Sequence, residues 1–364
     1  MAGEIVPINS ANKNYNRRKR FLIGQLGSYG DCLQATTIAR QIKTDYPDCH
    51  LTWAIGSIYR SILDGNPYID EIWEFPLSVR NDLLDRWQQF ENEAIERKKK
   101  GEFDEIFLTQ VWPNNLKNFD GTLRSSIFRG YNRPINVPVS PVLRLAPSEV
   151  ENVRIFAESH YLEEKKHVIL FECSPKSGQS FMTLEFAYDV SEKLISANPD
   201  LRIILSSNEP VNSANEQIID GSALSFRENA ELTKYCTLLV GCSSGISWLC
   251  TSDWAKPLPM IQLLKKKTCM YASLVHDHKH FGIPYKFIIE MTECSENELS
   301  ECITSIFTVG FDKARQDYNK KIRINFRNYA GIVFTELLQK GKYKDAIISM
   351  RYTARRWLFD ILYT

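Results

Sequence analysis

The chain has 364 residues, which is enough for two domains of ordinary size. Hydrophobic residues make up 43% and charged residues 24% of a chain whose formal net charge is +1, so the composition indicates a globular protein and excludes one that binds polyanions through its overall charge. The charge is uneven, because residues 311–364 contain twelve Lys or Arg and five Asp or Glu, a local net charge of +7.

The first half of the chain alternates between predicted strands and helices. An apolar run at 20–26 predicts a strand, which leads into the glycine-bracketed loop of residues 27–31 and a helix over 31–45. Further strands are predicted at 51–55, 69–75 and 103–109, with helices at 57–63 and 81–100. This alternation indicates an α/β fold with a doubly wound parallel sheet, in which ligands bind beyond the carboxyl ends of the strands.

The second half repeats the alternation after a stretch at 111–150 that is rich in Pro, Asn and Gly. We place a domain boundary there, which gives domains at 1–150 and 151–310. Strands are predicted at 167–171, 201–205, 238–240 and 259–263, and helices at 183–196 and 229–236. Two similar α/β halves predict a cleft between them, and clefts of this kind commonly bind ligands.

The tail at 311–364 is predicted to be helical and basic, with an amphipathic pattern over 343–363. One interpretation is a helix that packs against the domains. The other is a basic segment that makes peripheral contact with an anionic membrane surface.

The nine cysteines include no CxxC pair, which is typical of reduced thiols in a cytoplasmic protein. No apolar run approaches the ~20 residues that a membrane span needs, and residues 1–15 lack the apolar core of a signal peptide. We therefore expect a cytoplasmic location. Aromatic side chains are not interleaved with a basic strand face, so no nucleic-acid partner is expected.

Two local patterns allow more than one role. Asp31 stands at a predicted helix start, where an aspartate is commonly an N-terminal cap and is otherwise a candidate functional carboxylate. The alternating histidines of 276–280 would share one face of a strand and could bind a metal, contact a nucleotide or form a solvated loop. No Walker A, GxGxxG or GxSxG motif is present.

Four stretches resemble glycosyltransferase family 9, which comprises the ADP-heptose lipopolysaccharide heptosyltransferases and their relatives. The loop GSYGD at 27–31 and the later DYPDCHLTW at 45–53 resemble the opening of the family. Residues 65–72, GNPYIDEI, resemble its GNPYVDEV stretch, and residues 232–249 resemble its segment ending in NDSGPMHLA. The resemblance covers roughly residues 20–75 and 165–265 and does not reach the tail.

The resemblance implies a GT-B fold, in which two Rossmann-like domains face a central cleft, here with a C-terminal helical extension. It implies a metal-independent, inverting glycosyltransferase that needs no cofactor beyond a nucleotide-sugar donor, with ADP as one candidate nucleotide. The implied acceptor is a surface glycan or a glycolipid such as lipopolysaccharide. The implied location is the cytoplasm or the inner face of the membrane.

The family's proposed general base corresponds to Asp31, and the neighbouring acceptor-side loop to Ser28, Tyr29 and Gly30. A carboxylate is needed because an acceptor hydroxyl must lose its proton as it attacks the sugar. Without a metal, helix N-termini, hydroxyls and cationic side chains must stabilise the leaving diphosphate. The candidate donor-binding residues are Ser174, Lys176, Gln179, Ser243, Ser244 and Gly245.

Three of the family's donor-contacting positions differ in this chain. Gln179 stands where the family has a lysine, although Lys176 could substitute for it, and Ser243 and Trp248 replace an aspartate and a histidine. These changes imply another donor, an altered donor pocket or loss of activity. The alternatives to a transferase are a nucleotide-sugar epimerase or hydrolase on the same fold, or a degenerate, non-catalytic protein that binds glycans or nucleotides.

Overall fold

A computed structural model describes residues 17–113, 115–175, 177–266, 268, 271–323 and 330–363. It contains two parallel sheets, and we call the parts of the chain built around them the first and second domains. This architecture confirms the predicted α/β class. Among the helices of the described ranges, none combines the length and the apolar character that crossing a bilayer requires.

The first domain is built on a four-stranded sheet with the order β3-β2-β1-β4, in which all neighbours are parallel. Residues Phe21, Leu22 and Ile23 of β1 are almost fully buried, as expected for a strand that is covered on both faces. Its strands are β1 (Arg20–Gly24), β2 (His50–Gly56), β3 (Glu71–Phe75) and β4 (Glu105–Leu108). Its helices are α1 (Tyr29–Asp45), α2 (Asp82–Lys99) and α3 (Leu123–Phe128), with a 3-10 helix at Ser57–Leu63.

The second domain has a six-stranded parallel sheet with the order β10-β9-β8-β5-β6-β7. Its strands are β5 (His167–Glu172), β6 (Leu201–Ser206), β7 (Ile218–Asp220), β8 (Leu238–Gly241), β9 (Met260–Leu264) and β10 (Ile288–Thr292). The helices of this part are α4 (Pro147–Ser159), α5 (Leu184–Ile195), α6 (Glu228–Leu232), α7 (Gly245–Leu249), α8 (Leu274–His280), α9 (Glu296–Val309) and α10 (Phe311–Tyr318).

The predicted strands are all present, and their ends agree with the structure to within about two residues. The segment 111–150 is more ordered than a linker, because it contains α3, which packs against α1, and the first turn of α4. The predicted limit between residues 150 and 151 falls inside α4, so the domain boundaries stay predictions. The short elements β7, α8 and β10 were not predicted.

The tail returns to the first domain through α11 (Thr335–Gln339) and α12 (Tyr343–Tyr363). Ser349 Oγ donates a hydrogen bond to the carbonyl oxygen of Phe119 over 2.8 Å. Arg356 forms a buried ion pair with Asp120 at 3.1 Å. The helix therefore packs on the first domain, as one of the two interpretations of the tail requires. The predicted helix is interrupted, since residues 319–323 are not helical.

Candidate active site

A cleft of about 690 Å³ lies between the carboxyl ends of the two sheets. The first domain contributes the segments that follow β1, β2 and β3, and the second domain contributes those that follow β5, β6, β7 and β8. This is the place where open α/β sheets bind their ligands. The lining residues used below are Ser28, Tyr29, Gly30, Tyr59 and Arg80 from the first domain, with Glu172, Ser174, Ser206, Ser207, Asn208, Phe226, Ser244 and Gly245 from the second.

Aromatic contacts from both domains hold the loop after β1. A Cβ on Gly27 would lie 2.5 Å from the Tyr59 ring, so glycine is required for this close approach. The Tyr29 hydroxyl donates to the carbonyl oxygen of Ile58 over 3.0 Å. The Tyr29 ring also contacts the rings of Tyr59 and Phe226, with centroids 4.9 Å and 4.6 Å away. The predicted acceptor-side loop thus borders the cleft and touches the second domain.

Asp31 lies in the first turn of α1 and is part-buried. Burial raises the pKa of its carboxyl to about 6, although a hydrogen bond from the backbone N–H of Ser28 and the positive charge of Arg80 act in the opposite direction. The contact with Ser28 is a capping interaction. A carboxylate with a pKa of about 6 is largely ionised at pH 7 and is a stronger base than an ordinary aspartate. Capping and proton transfer are therefore compatible roles for this residue.

Arg80 is the one cation among the described residues that line the cleft. It belongs to the loop between β3 and α2, and its charge acts on both Asp31 and Tyr59. Arg80 was not predicted as a site residue. Its position beyond the carboxyl end of a parallel strand was the available signal. Ser206, which ends β6, and Ser207 and Asn208, which follow it, were missed although the same signal was present.

Glu172 lies at the end of β5, and its carboxylate accepts hydrogen bonds from groups at the start of α7. Its Oε2 accepts hydrogen bonds from the backbone N–H of Cys242 over 2.9 Å and from Ser247 Oγ over 2.7 Å. Its Oε1 accepts from the backbone N–H of Ile246 over 3.2 Å and from the Ser244 hydroxyl. Of the turn residues predicted to bind a phosphate, Ser244 therefore has its hydroxyl bonded to a buried carboxylate of the chain itself.

The rest of the turn before α7 is divided between the cleft and the protein interior. Ser243 is buried, and it donates from its backbone N–H to Gln262 Oε1 and from its hydroxyl to the carbonyl oxygen of Ala272, both over 2.6 Å. Gly245 lines the cleft, and a Cβ there would lie 3.0 Å from the Phe226 ring. Trp248 packs behind the acceptor-side loop, where its Cδ1 lies 3.5 Å from the position of a Cβ on Gly30.

Only part of the loop after β5 borders the cleft. Ser174 Oγ lies 3.0 Å from Ser207 Oγ, and both residues line the cleft. Gln179 is buried, and its carbonyl oxygen accepts from the backbone N–H of Lys265 over 2.9 Å. Lys176 lies outside the described residues. Of the predicted donor-binding residues, Ser174, Ser244 and Gly245 border the cleft, whereas Ser243 and Gln179 lie behind it.

Two buried arginines connect the walls of the cleft. Arg227 of the second domain pairs with Glu149 at 2.8 Å and donates to the carbonyl oxygens of Ser61 and Asp64 over 2.7 Å and 3.0 Å. On the other side, Arg40 of α1 pairs with Asp253 at 2.8 Å. Buried, hydrogen-bonded ion pairs of this kind define one relative arrangement of two domains more sharply than apolar contacts do.

The alternating histidines do not form a metal-binding face. They belong to α8, where His276 and His278 are buried, so neither the strand nor the solvated loop is correct. Burial lowers the pKa of His276 to about 3. Across the described ranges, no group of three or more His, Cys, Asp or Glu side chains is arranged to hold a metal ion.

Comparison with known proteins relates the chain to solved structures. No family model matches it, and the search of curated proteins gave no match. A family 9 glycosyltransferase from Veillonella parvula is 14% identical, covers 82% of this chain and 94% of its own, and superposes with a TM-score of 0.53. A Listeria monocytogenes protein assigned as a UDP-N-acetylglucosamine 2-epimerase is 10% identical, with coverages of 89% and 98% and a TM-score of 0.50. The E. coli ADP-heptose lipopolysaccharide heptosyltransferase II is 13% identical, with coverages of 79% and 98% and a TM-score of 0.48.

At these identities the similarity defines the fold. The chain has a GT-B architecture, in which two α/β domains face a common cleft. Within that class its fold is like that of glycosyltransferase family 9, which confirms the resemblance noted in the sequence. The activity has to be argued from the residues of the cleft.

Proposed function

We propose that the chain is a glycosyltransferase that transfers a sugar, heptose or another, from a nucleotide diphosphate donor to a glycan or lipopolysaccharide-type acceptor. The observation that carries the proposal is Asp31, a carboxylate with a pKa raised to about 6. It follows directly after three residues that line the cleft between the domains. The proposal includes inversion at the sugar carbon, independence of a metal, and a cytoplasmic location.

In the proposed reaction Asp31 takes the proton of the acceptor hydroxyl. The hydroxyl oxygen bonds to C1 of the sugar while the bond between C1 and the phosphate oxygen breaks, and the nucleoside diphosphate leaves with the electron pair. Attack on the face opposite the leaving group inverts C1. A carboxylate with a pKa near the working pH suits general base catalysis, because it is ionised and yet accepts a proton readily.

The leaving diphosphate needs partners other than the start of α7. Glu172 already bonds the donors there, and its charge would oppose a second anion at the same place. Ser174 and Ser207 of the second domain and Arg80 of the first domain also line the cleft, and Lys176, which lies outside the described residues, is a further candidate. We assign the diphosphate to these residues, because hydroxyl donors and a cation stabilise developing negative charge.

A nucleotide-sugar epimerase or hydrolase on the same fold is the alternative. The similarity to the Listeria protein concerns the fold alone. An epimerase needs several acid and base groups around the sugar. Among the described lining residues the cleft has no histidine, and its carboxylate, Glu172, is bonded to four donors. Together with Asp31, which adjoins the lining loop of Ser28, Tyr29 and Gly30, this composition supports transfer with a single base.

The test is a thermal-shift panel of nucleoside diphosphates and nucleotide sugars, since a ligand that binds the folded state raises the melting temperature. The stabilising donor is then incubated with and without glycan and glycolipid acceptors, and release of nucleoside diphosphate is followed. Release that depends on the acceptor supports the transferase. Conversion of the nucleotide sugar without any acceptor supports the epimerase or hydrolase, and no stabilisation by any member of the panel contradicts the donor site.

A further inference from the structure

The tail helix α12 contacts the first domain through a face that is small and polar. The buried positions recur at helical spacing and comprise Ala346, Ser349, Thr353, Arg356 and Asp360. The helix is held there by the ion pair between Arg356 and Asp120 and by the hydrogen bond from Ser349 to Phe119. Arg356 also bonds the Ser125 hydroxyl. The attachment of α12 therefore depends on specific polar contacts.

The opposite face of α12 is apolar and exposed to solvent. Ile347 is 68% exposed, Leu358 52% and Ile361 55%. An amphipathic surface helix normally buries its apolar face and exposes its polar one, so α12 has the reverse arrangement. A contiguous exposed apolar surface marks an interaction site. We call this surface the tail face, and it consists of Tyr343, Ile347, Ile348, Arg351, Arg355, Trp357, Leu358, Ile361 and Leu362.

The charges exposed along α12 have one sign. Lys344, Arg351 and Arg355 are exposed, whereas the two acidic residues of the helix are part-buried at Asp345 and buried at Asp360. Exposed apolar side chains interleaved with basic ones are the arrangement found in helices that lie in the interface of an anionic bilayer. There the apolar groups enter the boundary between headgroups and acyl chains, and the cations meet the lipid phosphates.

We propose that the tail face is a docking surface for a membrane that contains anionic lipids. A second copy of the chain is a poorer occupant. A two-fold interface through this face would bring the arginines of both copies together, and no exposed acidic residue on the described part of α12 would pair with them. Like charges that are placed together without partners oppose such an interface.

The apolar surface continues beside the helix. A groove of about 1060 Å³ adjoins α12 at Phe359, and its walls include Ile283, Tyr285 and Phe287. Its charged lining residues are Lys279, Lys286 and Asp312, which are net basic. A concave apolar surface with a net basic lining is suited to bind an acyl chain and an anionic headgroup. The groove therefore extends the proposed lipid-binding surface beyond the helix itself.

The test is sedimentation of the full chain with vesicles of phosphatidylcholine, with and without phosphatidylglycerol. No donor or acceptor is present, so the result does not depend on the proposed function. Leu358→Asp should weaken binding to the anionic vesicles at least about tenfold, because it removes buried apolar area and adds repulsion. The matched control is Ile155→Asp on α4, where the side chain is equally exposed, at 53%. This control should bind as the unaltered chain does.

A second variant separates charge from apolar burial. Arg351→Gln combined with Arg355→Gln should reduce binding to the anionic vesicles by roughly 30-fold. This factor corresponds to a loss of about 1 kcal/mol of attraction for each of the two basic residues. Binding to neutral vesicles should change little. Leu358→Ser replaces the aspartate variant if the melting temperature shows that the latter is destabilised.

Three outcomes would overturn the proposal. The first is an unaltered chain that does not sediment with anionic vesicles. The second is Leu358→Asp and Ile155→Asp binding equally well. The third is light scattering, in the absence of lipid, that finds a dimer which Leu358→Asp dissociates, because the occupant of the tail face would then be a second copy.

Discussion

Ser247 Oγ donates a hydrogen bond to Glu172 Oε2 over 2.7 Å, and so links the start of α7 to the end of β5. The same carboxylate accepts from two backbone N–H groups, one at each of its oxygens. Glu172→Gln would place its side-chain amide NH2, itself a donor, against one of these N–H donors. We expect it to lower the free energy of unfolding by about 2–4 kcal/mol, because a buried donor would lose its acceptor. Urea unfolding measures this change.

Glu192→Gln on α5 is the control for that measurement, because Glu192 is exposed. A surface substitution of this kind should change stability by less than about 0.5 kcal/mol. If Glu172→Gln were as stable as Glu192→Gln, the carboxylate would not organise the turn before α7, and the start of that helix would be open to a phosphate.

The charge of Arg80 should set the pH at which the enzyme becomes active. Asp31 must be ionised to accept a proton, so the rate should rise as pH increases through about 6 and level off above it. Arg80 lowers the pKa of Asp31, and Arg80→Met should therefore move the rising limb to higher pH. The pH dependence of kcat/KM reports this group in the free enzyme. Arg86→Met on α2 is the control, and its profile should match that of the unaltered chain. If the rising limb of the pH profile stayed at the same pH in Arg80→Met, the charge of Arg80 would not act on Asp31.

Asp31 should destabilise the fold at neutral pH. Its pKa is raised in the folded state to about 6. The proton bound to Asp31 therefore stabilises the folded state, and this contribution to the free energy of unfolding is fully present below the unfolded pKa of about 4. That contribution is lost as pH rises through about 6. Asp31→Asn should consequently be more stable than the unaltered chain at pH 8, by up to about 3 kcal/mol. The difference should vanish near pH 4, where Asp31 is protonated. Equal stabilities at both pH values would contradict the burial of this carboxylate.

Arg227 should be one of the most sensitive positions for stability. Arg227→Met removes the arginine that pairs with Glu149 and one donor to each of the carbonyl oxygens of Ser61 and Asp64. We expect a loss of about 3–5 kcal/mol, as for other buried pairs that lose one member. Arg154→Met on α4 breaks exposed pairs with Glu151 and Glu158, and it should cost less than about 1 kcal/mol. Similar losses in the two variants would mean that Arg227 does not hold the domains together.

The parts of the fold that were predictable from sequence are those in which local pattern and tertiary environment agree. The strands β1 and β5 are continuous apolar runs buried on both faces. A run of this kind can be recognised from a short segment of sequence without knowledge of the rest of the chain. β10 was missed, because Glu290 interrupts its apolar run although the residue is buried. Burial raises the pKa of this carboxyl to about 7, and Ser273 Oγ donates to it over 2.8 Å.

Helix α8 was missed for a related reason. Its sequence alternates histidines with charged residues, which gives no helical apolar period. The helix starts because the Ser273 hydroxyl caps it, accepting from the backbone N–H of His276 over 3.0 Å. His276 is then buried by contacts with Tyr271 and Phe359. Contacts distant in sequence decide this segment, and no local pattern contains them.

The candidate site divides in the same way. The loop of Ser28, Tyr29, Gly30 and Asp31 was predictable, because a strand, a glycine turn and a helix start are adjacent in the chain. Arg80 lies near this loop in space because of the order of the strands in the sheet, and that order is not evident from neighbouring residues in the sequence. The bonding of Glu172 to the turn before α7 was not predictable, since a phosphate and a carboxylate side chain would satisfy the same N–H groups.

The most direct test of the central claim is the rate of acceptor-dependent release of nucleoside diphosphate by Asp31→Asn at pH 8, compared with the unaltered chain and with the control Asp312→Asn. Asp312 is an exposed acidic residue in the first turn of α10. We predict that Asp31→Asn lowers kcat by roughly 10²–10⁴-fold, the range for loss of a general base. Donor affinity in the thermal-shift assay and the activity of Asp312→Asn should stay unchanged. A kcat for Asp31→Asn within about twofold of that of the unaltered chain would contradict the assignment of Asp31 as the general base.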